Sequence, residues 1–162
     1  MIKIKVYVET LNNDIELPAY ANIGDAGMDI RASEDVVILP NETKIIPTGL
    51  KIAIPVGYEL QVRPRSGLSL NTPLRVSNSP GTIDSGYRGE VGIIITNTSL
   101  NDNGSYLISE KNNKQGTYSI KKGNRIAQIV LKKYEVIEFI QVDNIEEIEG
   151  NRSGGFGSTG TN

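Results

Sequence analysis

Hydrophobic and polar residues alternate along many short stretches of the chain. From Ile2 to Val8 and from Tyr58 to Arg63, apolar side chains fall at about every second position, as in half-buried strands. Similar stretches predict strands over residues 36–39, 44–46, 50–54, 91–96, 125–131 and 134–140. Glycine or proline separates most of them, which indicates close turns. The pattern therefore predicts an all-β fold, either a jelly roll or a distorted β-barrel.

Three segments depart from this pattern. Residues 66–70 are the best candidate for a short helix, which Pro73 would end. Residues 101–122 form a polar excursion with two predicted strands, 105–109 and 117–120, and a hairpin tip over 110–116. The excursion could be a structural decoration or could bind a partner. From Gly150 the sequence turns to Gly, Ser, Thr and Asn, so we expect a folded body over 1–149 and a mobile glycine-rich arm over 150–162.

Charge and composition exclude several classes of function. The formal charge is −2, which argues against a general nucleic-acid binder, and no apolar run is long enough for a membrane span. The chain contains no cysteine and no histidine, which excludes disulfides, thiolate or imidazole metal sites and the usual imidazole base. Proton transfer would need a carboxylate, a shifted Lys or Tyr, or water. A bound metal would be a hard cation such as Mg²⁺, and the cysteine-free sequence is compatible with the cytoplasm.

Two of the loops carry residues suited to an anion. Arg65, Ser66 and Gly67 combine a guanidinium, a hydroxyl and backbone N–H groups that could converge on one phosphate. The same residues would equally fit a capped helix with a solvated arginine. Asp29, within AGMDI, lies between apolar neighbours, and an ordinary turn in which it caps backbone groups would also explain it.

Two further loops carry residues suited to a base and a sugar. In NSPGTIDSGYRGE, Asn78 can both donate and accept hydrogen bonds, Tyr87 offers a flat face, and Asp84 is the best candidate base. We expect this segment to be a hairpin, although an Asp/Gly turn with a core tyrosine would also fit. In GNRIAQI, alternation predicts that Gln128 turns inward if Ile126 faces the core, so it would contact a ligand or be a satisfied core amide.

Taken together, these segments resemble the five motifs of the trimeric dUTP pyrophosphatases (dUTPases). In chain order they read AGMDI, RSGLS, NSPGTIDSGYRGE, GNRIAQI and RSGGFGSTG, and they extend from about Asp25 to Gly160. The resemblance implies a jelly roll of the β-clip type and a homotrimer with shared active sites. It also implies that water attacks the α-phosphorus of dUTP, giving dUMP and diphosphate, with Mg²⁺ held by phosphates and water rather than by side chains. Such a reaction keeps uracil out of DNA and supplies dUMP for dTMP synthesis, in the cytoplasm or in that of a host.

The resemblance also assigns roles to individual residues. Asp84 would orient and deprotonate the attacking water, and Asp29 would support the site. Residues expected to contact uracil and deoxyribose are Asn78, Gly81, Thr82, Ile83 and Tyr87. Residues expected to contact the phosphates are Arg65, Ser66, Gly67 and Gln128. Residues expected to close over bound substrate, with the phenylalanine stacked on uracil, are Arg152, Phe156, Gly157 and Ser158.

The chain departs from the family pattern at three places. Arg152 lies four residues before Phe156 instead of five, with Asn151 in the expected position; Gly86 replaces a common acidic residue; and the excursion is long. Two other functions share the fold: a dCTP deaminase, alone or combined with dUTP hydrolysis, and a non-catalytic trimer that senses nucleotides. The GTIDSGYRGE and FGSTG segments favour a dUTPase over a deaminase, and Asp84 favours an enzyme over a pure binder.

Overall fold

The computed structural model describes residues 2–111 and 113–150. Within them the chain forms eleven strands, the α-helix α1 (Ser66–Asn71) and a 3-10 helix over Ile145–Glu147. The strands are β1 (Tyr7–Thr10), β2 (Met28–Arg31), β3 (Val36–Ile38), β4 (Thr43–Ala53), β5 (Tyr58–Arg63), β6 (Leu74–Val76), β7 (Gly81–Ile83), β8 (Glu90–Asn97), β9 (Ser105–Leu107), β10 (Thr117–Ile120) and β11 (Arg125–Lys133). The predictions for Arg152, Phe156, Gly157 and Ser158 lie outside the described residues.

The strands form three sheets. Their orders are β1-β4-β8-β6, β3-β10-β9 and β2-β11-β5-β7. Every pair is antiparallel except β9–β10. Strands next to each other in the chain are mostly not neighbours in a sheet, because the chain crosses repeatedly between sheets. This arrangement is a jelly roll, which confirms the predicted all-β fold and its short helix.

The apolar residues at alternate strand positions meet in one core. Among the residues with no exposed surface are Ile30, Ile38, Ile46, Ile93, Ile95, Tyr118, Ile120 and Ile126. In β8 the side chains alternate regularly between buried and half-buried. The alternation therefore decides which face of each strand packs inward, and it leaves the loops at the sheet edges to carry polar chemistry.

Asn97, at the end of β8, is a polar residue within this core. Its side-chain amide nitrogen donates to the carbonyl oxygens of Ile38, at 3.0 Å, and Gly116, at 2.8 Å. Its side-chain oxygen accepts from the backbone N–H of Ser99 at 3.0 Å. Three bonds satisfy the buried amide, and they join β8 to β3 and to the base of the excursion.

The excursion is not the hairpin that the sequence predicted. Its two strands, β9 and β10, pair in parallel, with Tyr118 opposite Tyr106. Side chains that precede β9 hold the start of β10: the N–H of Gly116 donates to Ser99 Oγ and that of Thr117 to Asp102 Oδ1. The chain therefore returns through a longer loop, and a tight turn would leave these bonds unmade.

Several predicted strand limits were wrong for reasons of pairing. The first strand covers Tyr7–Thr10 instead of 2–8, because its partner β4 ends at Ala53, opposite Tyr7. The predicted strands 44–46 and 50–54 are one strand, in which Gly49 adopts a φ of 70° and the register shifts after Pro47. Residues 134–140 form no strand. Three short strands, β2, β6 and β7, were not predicted at all.

Candidate active site

One cleft collects the residues predicted to bind a base and a sugar. It is lined by Asn78, Gly81, Thr82, Ile83, Asp84 and Tyr87, together with Val62, Glu90, Val91 and Gly92. Its volume is about 180 Å³, below the roughly 300–1,000 Å³ of pockets that enclose a whole drug-sized ligand. The cleft can therefore hold only part of a nucleotide.

Strand β7 forms one wall of this cleft. Gly81 of β7 lies opposite Val62 of β5, and a Cβ at Gly81 would lie 3.1 Å from Nδ2 of Asn78 and 3.3 Å from Cβ of Val62. Glycine thus lets the Asn78 amide lie close to the strand. The predicted hairpin over 78–90 was wrong, because β7 pairs with β5 and β8 belongs to another sheet.

Tyr87 is held by the turn that follows β7. Its hydroxyl donates to the carbonyl oxygen of Glu90 at 2.8 Å, and its backbone N–H donates to the carbonyl oxygen of Asp84. A Cβ at Gly89 would lie 2.4 Å from the Tyr87 hydroxyl oxygen, so only glycine permits this ring position. Tyr87 as a whole is 44% exposed. Tyr87 is therefore a fixed, exposed flat surface and not a core residue.

Asp84 and Glu90 are the two carboxylates of the cleft, and their environments differ. Asp84 is exposed, and no cationic side chain of the described segments pairs with it. The Glu90 carboxylate accepts the backbone N–H of Gly49 at 2.7 Å and is half-buried. Glu90 therefore has a structural role, and Asp84 is the carboxylate available to a ligand or a water.

A second group of polar residues surrounds Asp29 on β2. The Nε of Arg65 donates to one carboxylate oxygen of Asp29 at 2.8 Å, and Nη1 of Arg125 lies 3.5 Å from the other. Arg65 also donates to the carbonyl oxygen of Arg125 at 3.1 Å. Asp29 does not lie in the ordinary turn that was the alternative explanation of AGMDI, because it belongs to a strand and lies opposite Gln128 of β11. Its carboxylate fixes the two arginines side by side.

Gln128 is only half-buried, so the prediction that it turns inward was wrong. The register shifts between Arg125 and Ala127, which reverses the expected alternation around Ile126. Its amide nitrogen donates to the carbonyl oxygen of Pro64 at 2.9 Å. A Cβ at Gly27 would lie 2.6 Å from Oε1 of Gln128, so Gly27 gives this amide its room.

Ser66 and Gly67 open helix α1 beside Arg65. Both are exposed, and no side chain caps the first turn. A Cβ at Gly67 would meet nothing within 4 Å. The described part of the chain therefore does not itself require glycine at this position, and the free space lies where a ligand could approach the backbone.

These two groups lie at opposite edges of the sheet β2-β11-β5-β7. Asp29 aligns with Gln128 and Arg63, whereas Asp84 follows Ile83, whose partner is Leu60. Three strand spacings and about four residues along β5 separate them, which is roughly 20 Å. One subunit therefore does not bring all the predicted site residues together.

The residues of the sheet edges also show what the sequence reasoning missed. Arg125 was not assigned a role, although it lies beside Asp29 and within the GNRIAQI segment that was singled out.

In the described segments, no group of three acidic residues is placed to hold a metal ion. None of the helices there is long and apolar enough to cross a bilayer.

Comparisons with known proteins place the chain in one family. The family model described as dUTPase matches residues 13–103 and 101–160. A deoxyuridine 5'-triphosphate nucleotidohydrolase of Finegoldia magna is 44% identical over 161 residues, covering 98% of this chain and 99% of its own length. A protein of the same name from Fusobacterium nucleatum is 43% identical over 159 residues, covering 96% and 98%.

Solved structures give the same result. A mutant dUTPase of Staphylococcus bacteriophage 80alpha with dUpNHpp has a TM-score of 0.86 and 33% identity, covering 97% of this chain and 99% of its own. A mutant dUTPase from phage phi11 of S. aureus has a TM-score of 0.79 and 33% identity, covering 88% and 99%, and is described as coordinating a structural Mg(II) ion.

Proposed function

The chain belongs to the dUTPase family and hydrolyses dUTP to dUMP and diphosphate, and from this premise we propose how its residues share the work. One observation carries the proposal: a single cleft collects Asn78, Asp84 and Tyr87. An amide, a free carboxylate and a flat ring are suited to a base, an attacking water and a sugar.

Asp84 acts on the water. Its exposed carboxylate accepts a proton as the water oxygen forms a bond to the α-phosphorus. The bond between that phosphorus and the bridging oxygen breaks, so diphosphate leaves and dUMP remains. The chain has no histidine, and no cationic side chain of the described residues pairs with the Asp84 carboxylate. This carboxylate is therefore suited to accept the proton.

The base and the sugar occupy the cleft beside Asp84. Asn78 and the backbone groups of Thr82 and Ile83 bind the polar edge of uracil, and Gly81 leaves the room for that approach. Tyr87 lies beneath the deoxyribose, fixed by its bond to Glu90. Shape then favours the substrate, since a rigid ring leaves no space for a 2′-hydroxyl.

The phosphates bind at the other edge of the sheet. Arg65 is fixed by Asp29, and Ser66 and Gly67 follow it with exposed groups and free space. Gln128 completes this group with its half-buried amide. A guanidinium with neighbouring N–H and O–H donors is the usual protein partner of phosphate oxygens.

The distance between the two groups supports a homotrimer with shared sites. Asp84 and Arg65 would serve one substrate if they came from different subunits. A row of apolar side chains on the segment after β11 also fits an assembly: Val136, Ile137, Phe139 and Ile140 are each more than 70% exposed. Several exposed apolar side chains in one short segment are typical of a surface that a partner covers.

The surroundings of Asp29 fit a Mg²⁺ ion that is held mainly by phosphates and waters. Both oxygens of Asp29 face guanidinium groups, so Asp29 would support the water shell without ligating the ion directly. Bound to the phosphates, the ion would neutralise part of their charge. Asp29 therefore positions the guanidinium groups of Arg65 and Arg125.

The arm over 150–162 completes the proposal. Phe156 would stack on uracil, and Arg152, Gly157 and Ser158 would wrap the phosphates, so the arm would act as a lid. These assignments rest on the resemblance of RSGGFGSTG to the fifth motif.

The cysteine-free sequence fits action in the cytoplasm.

The substitution Asp84→Asn tests the assignment. It keeps the shape of the side chain and removes the base, so turnover of dUTP should fall about a hundred- to ten-thousand-fold. Affinity for dUpNHpp should stay near the wild-type value. Glu90→Gln is the matched control, because its carboxylate serves Gly49, and it should keep most of the turnover. Unchanged turnover in Asp84→Asn would remove Asp84 from its role.

A further inference from the structure

We propose that the excursion over residues 101–122 supplies a substrate-binding residue, Lys111, which binds the terminal phosphates of dUTP. The inference rests on the proposed function and adds one residue to those proposed to bind the phosphates. Lys111 lines a cleft with Arg65 and Gly67, the residues assigned to the phosphates. The excursion therefore forms part of the active site.

The excursion is attached directly to helix α1. The backbone N–H of Asn113 donates to the carbonyl oxygen of Asn71, at the end of the helix, at 2.8 Å. The side-chain amide of Asn71 in turn donates to the carbonyl oxygen of Gly67 at 2.8 Å. Two hydrogen bonds thus link the loop that carries Lys111 to the start of the helix.

The other side of this loop is fixed to the core. Ile108 and Tyr106 are partly buried against the core cluster, and the Tyr106 ring lies 5.7 Å from that of Tyr118. Ile108 also lines the cleft. Lys111 is therefore carried by a loop held at both ends, which limits the entropy lost when it binds a ligand.

The cleft has an excess of positive charge. Four cationic side chains line it, from Arg31, Arg65, Lys111 and Arg125. Arg31 pairs with Glu16 at 3.1 Å, and Asp29 lies between Arg65 and Arg125. Two carboxylates thus serve three of the cations, and among the described residues no carboxylate pairs with Lys111.

The chemistry of the substrate indicates which part Lys111 binds. Asp84 acts at the α-phosphorus. The cationic side chains of the second cleft lie outside the Asp84 cleft, so they are available to bind the diphosphate portion. That portion carries most of the negative charge of dUTP, and an ammonium on a flexible stem suits a phosphate tail. A role on the terminal phosphates would supplement Arg152, whose spacing from Phe156 is one residue shorter than in the family pattern.

The test compares Lys111→Met with Lys114→Met. Both remove one charge from the same loop, but the ammonium of Lys114 lies 5.0 Å from the Tyr106 ring centroid. We expect Lys111→Met to raise KM for dUTP about 3- to 10-fold, as for the loss of one hydrogen bond of ordinary strength, with kcat little changed. Affinity for dUpNHpp should fall by the same factor, and the inhibition constant of dUMP, which lacks the terminal phosphates, should not change.

The controls separate a binding role from a structural one. Lys111→Arg should restore most of the affinity, and the melting temperature of Lys111→Met should equal that of the wild type. An unchanged KM in Lys111→Met, an equal loss of dUMP affinity, or the same KM change in Lys114→Met would each overturn the inference. If the wild type failed to hydrolyse dUTP, the proposed function would fall instead, so the two failures are distinguishable.

Discussion

Removing the buried amide of Asn97 should destabilise the protein strongly. Asn97→Ala deletes a side chain with no exposed surface that makes three hydrogen bonds. The carbonyl oxygens of Ile38 and Gly116 and the N–H of Ser99 would each lose a partner. The substitution therefore tests whether β8, β3 and the base of the excursion depend on one residue.

The size of the effect follows from these three groups. A buried polar group left without its partner costs about 1–3 kcal/mol. The two carbonyls retain a second lone pair for other bonds, so the low end of the range applies to them. The sum is about 3–5 kcal/mol in the free energy of unfolding. For a chain of this length that corresponds to a fall of roughly 6–20 °C in Tm.

Thermal and urea denaturation at one protein concentration measure the loss, since the stability of an oligomer depends on concentration. Thr98→Ala is the matched control: it deletes one bond, from Oγ1 to the carbonyl oxygen of Pro73 at 2.7 Å, at an exposed position, and should cost less than about 1 kcal/mol. Asn97→Asp should also be unstable at neutral pH, because its carboxylate faces two carbonyls. A Tm for Asn97→Ala within about 2 °C of the wild type would refute the three-bond account.

Two other outcomes can be checked with the same material. Gly67→Ala should leave stability unchanged or raise it by up to about 1 kcal/mol, yet raise KM for dUTP, because its Cβ meets only the space assigned to phosphate. The pKa of Asp35 is lowered from 3.8 by hydrogen bonds from Lys121 and from the Lys122 backbone. Asp35 therefore stabilises the fold above about pH 4 and loses this effect as pH falls further, so the Tm difference between the wild type and Asp35→Asn should vanish in acid.

The sequence predicted the long, regular strands well. Leu60 and Val62 of β5, and Val91, Ile93 and Ile95 of β8, are apolar and buried at every second position. Period-two alternation detects that arrangement directly. Short strands such as β7, with three residues, offer too few alternations. Residues 134–140 alternate as a strand should but have no strand partner in the described part of the chain. Alternation indicates how a segment pairs only when its partner is known.

The candidate site was predicted as a set of residues but not as an arrangement. The motif resemblance singled out Asp29, Arg65 and Asp84, and the structure places them in two groups at opposite edges of one sheet. It could not show that Asp29 fixes two arginines, because that contact depends on the pairing of β2 with β11. The motif resemblance could not identify Lys111 for a similar reason. The excursion is brought to helix α1 by the hydrogen bond between Asn113 and Asn71, which the sequence does not show.

The position of Asp84 and Arg65 at opposite edges of one sheet has a genetic consequence. If each catalytic centre takes one residue from each of two neighbours, two defective copies can repair one another. Trimers assembled from equal amounts of Asp84→Asn and Arg65→Ala subunits would contain intact centres in about a quarter of the positions, by random association around a three-fold axis. Two alleles that are each inactive alone would then complement each other in the same cell.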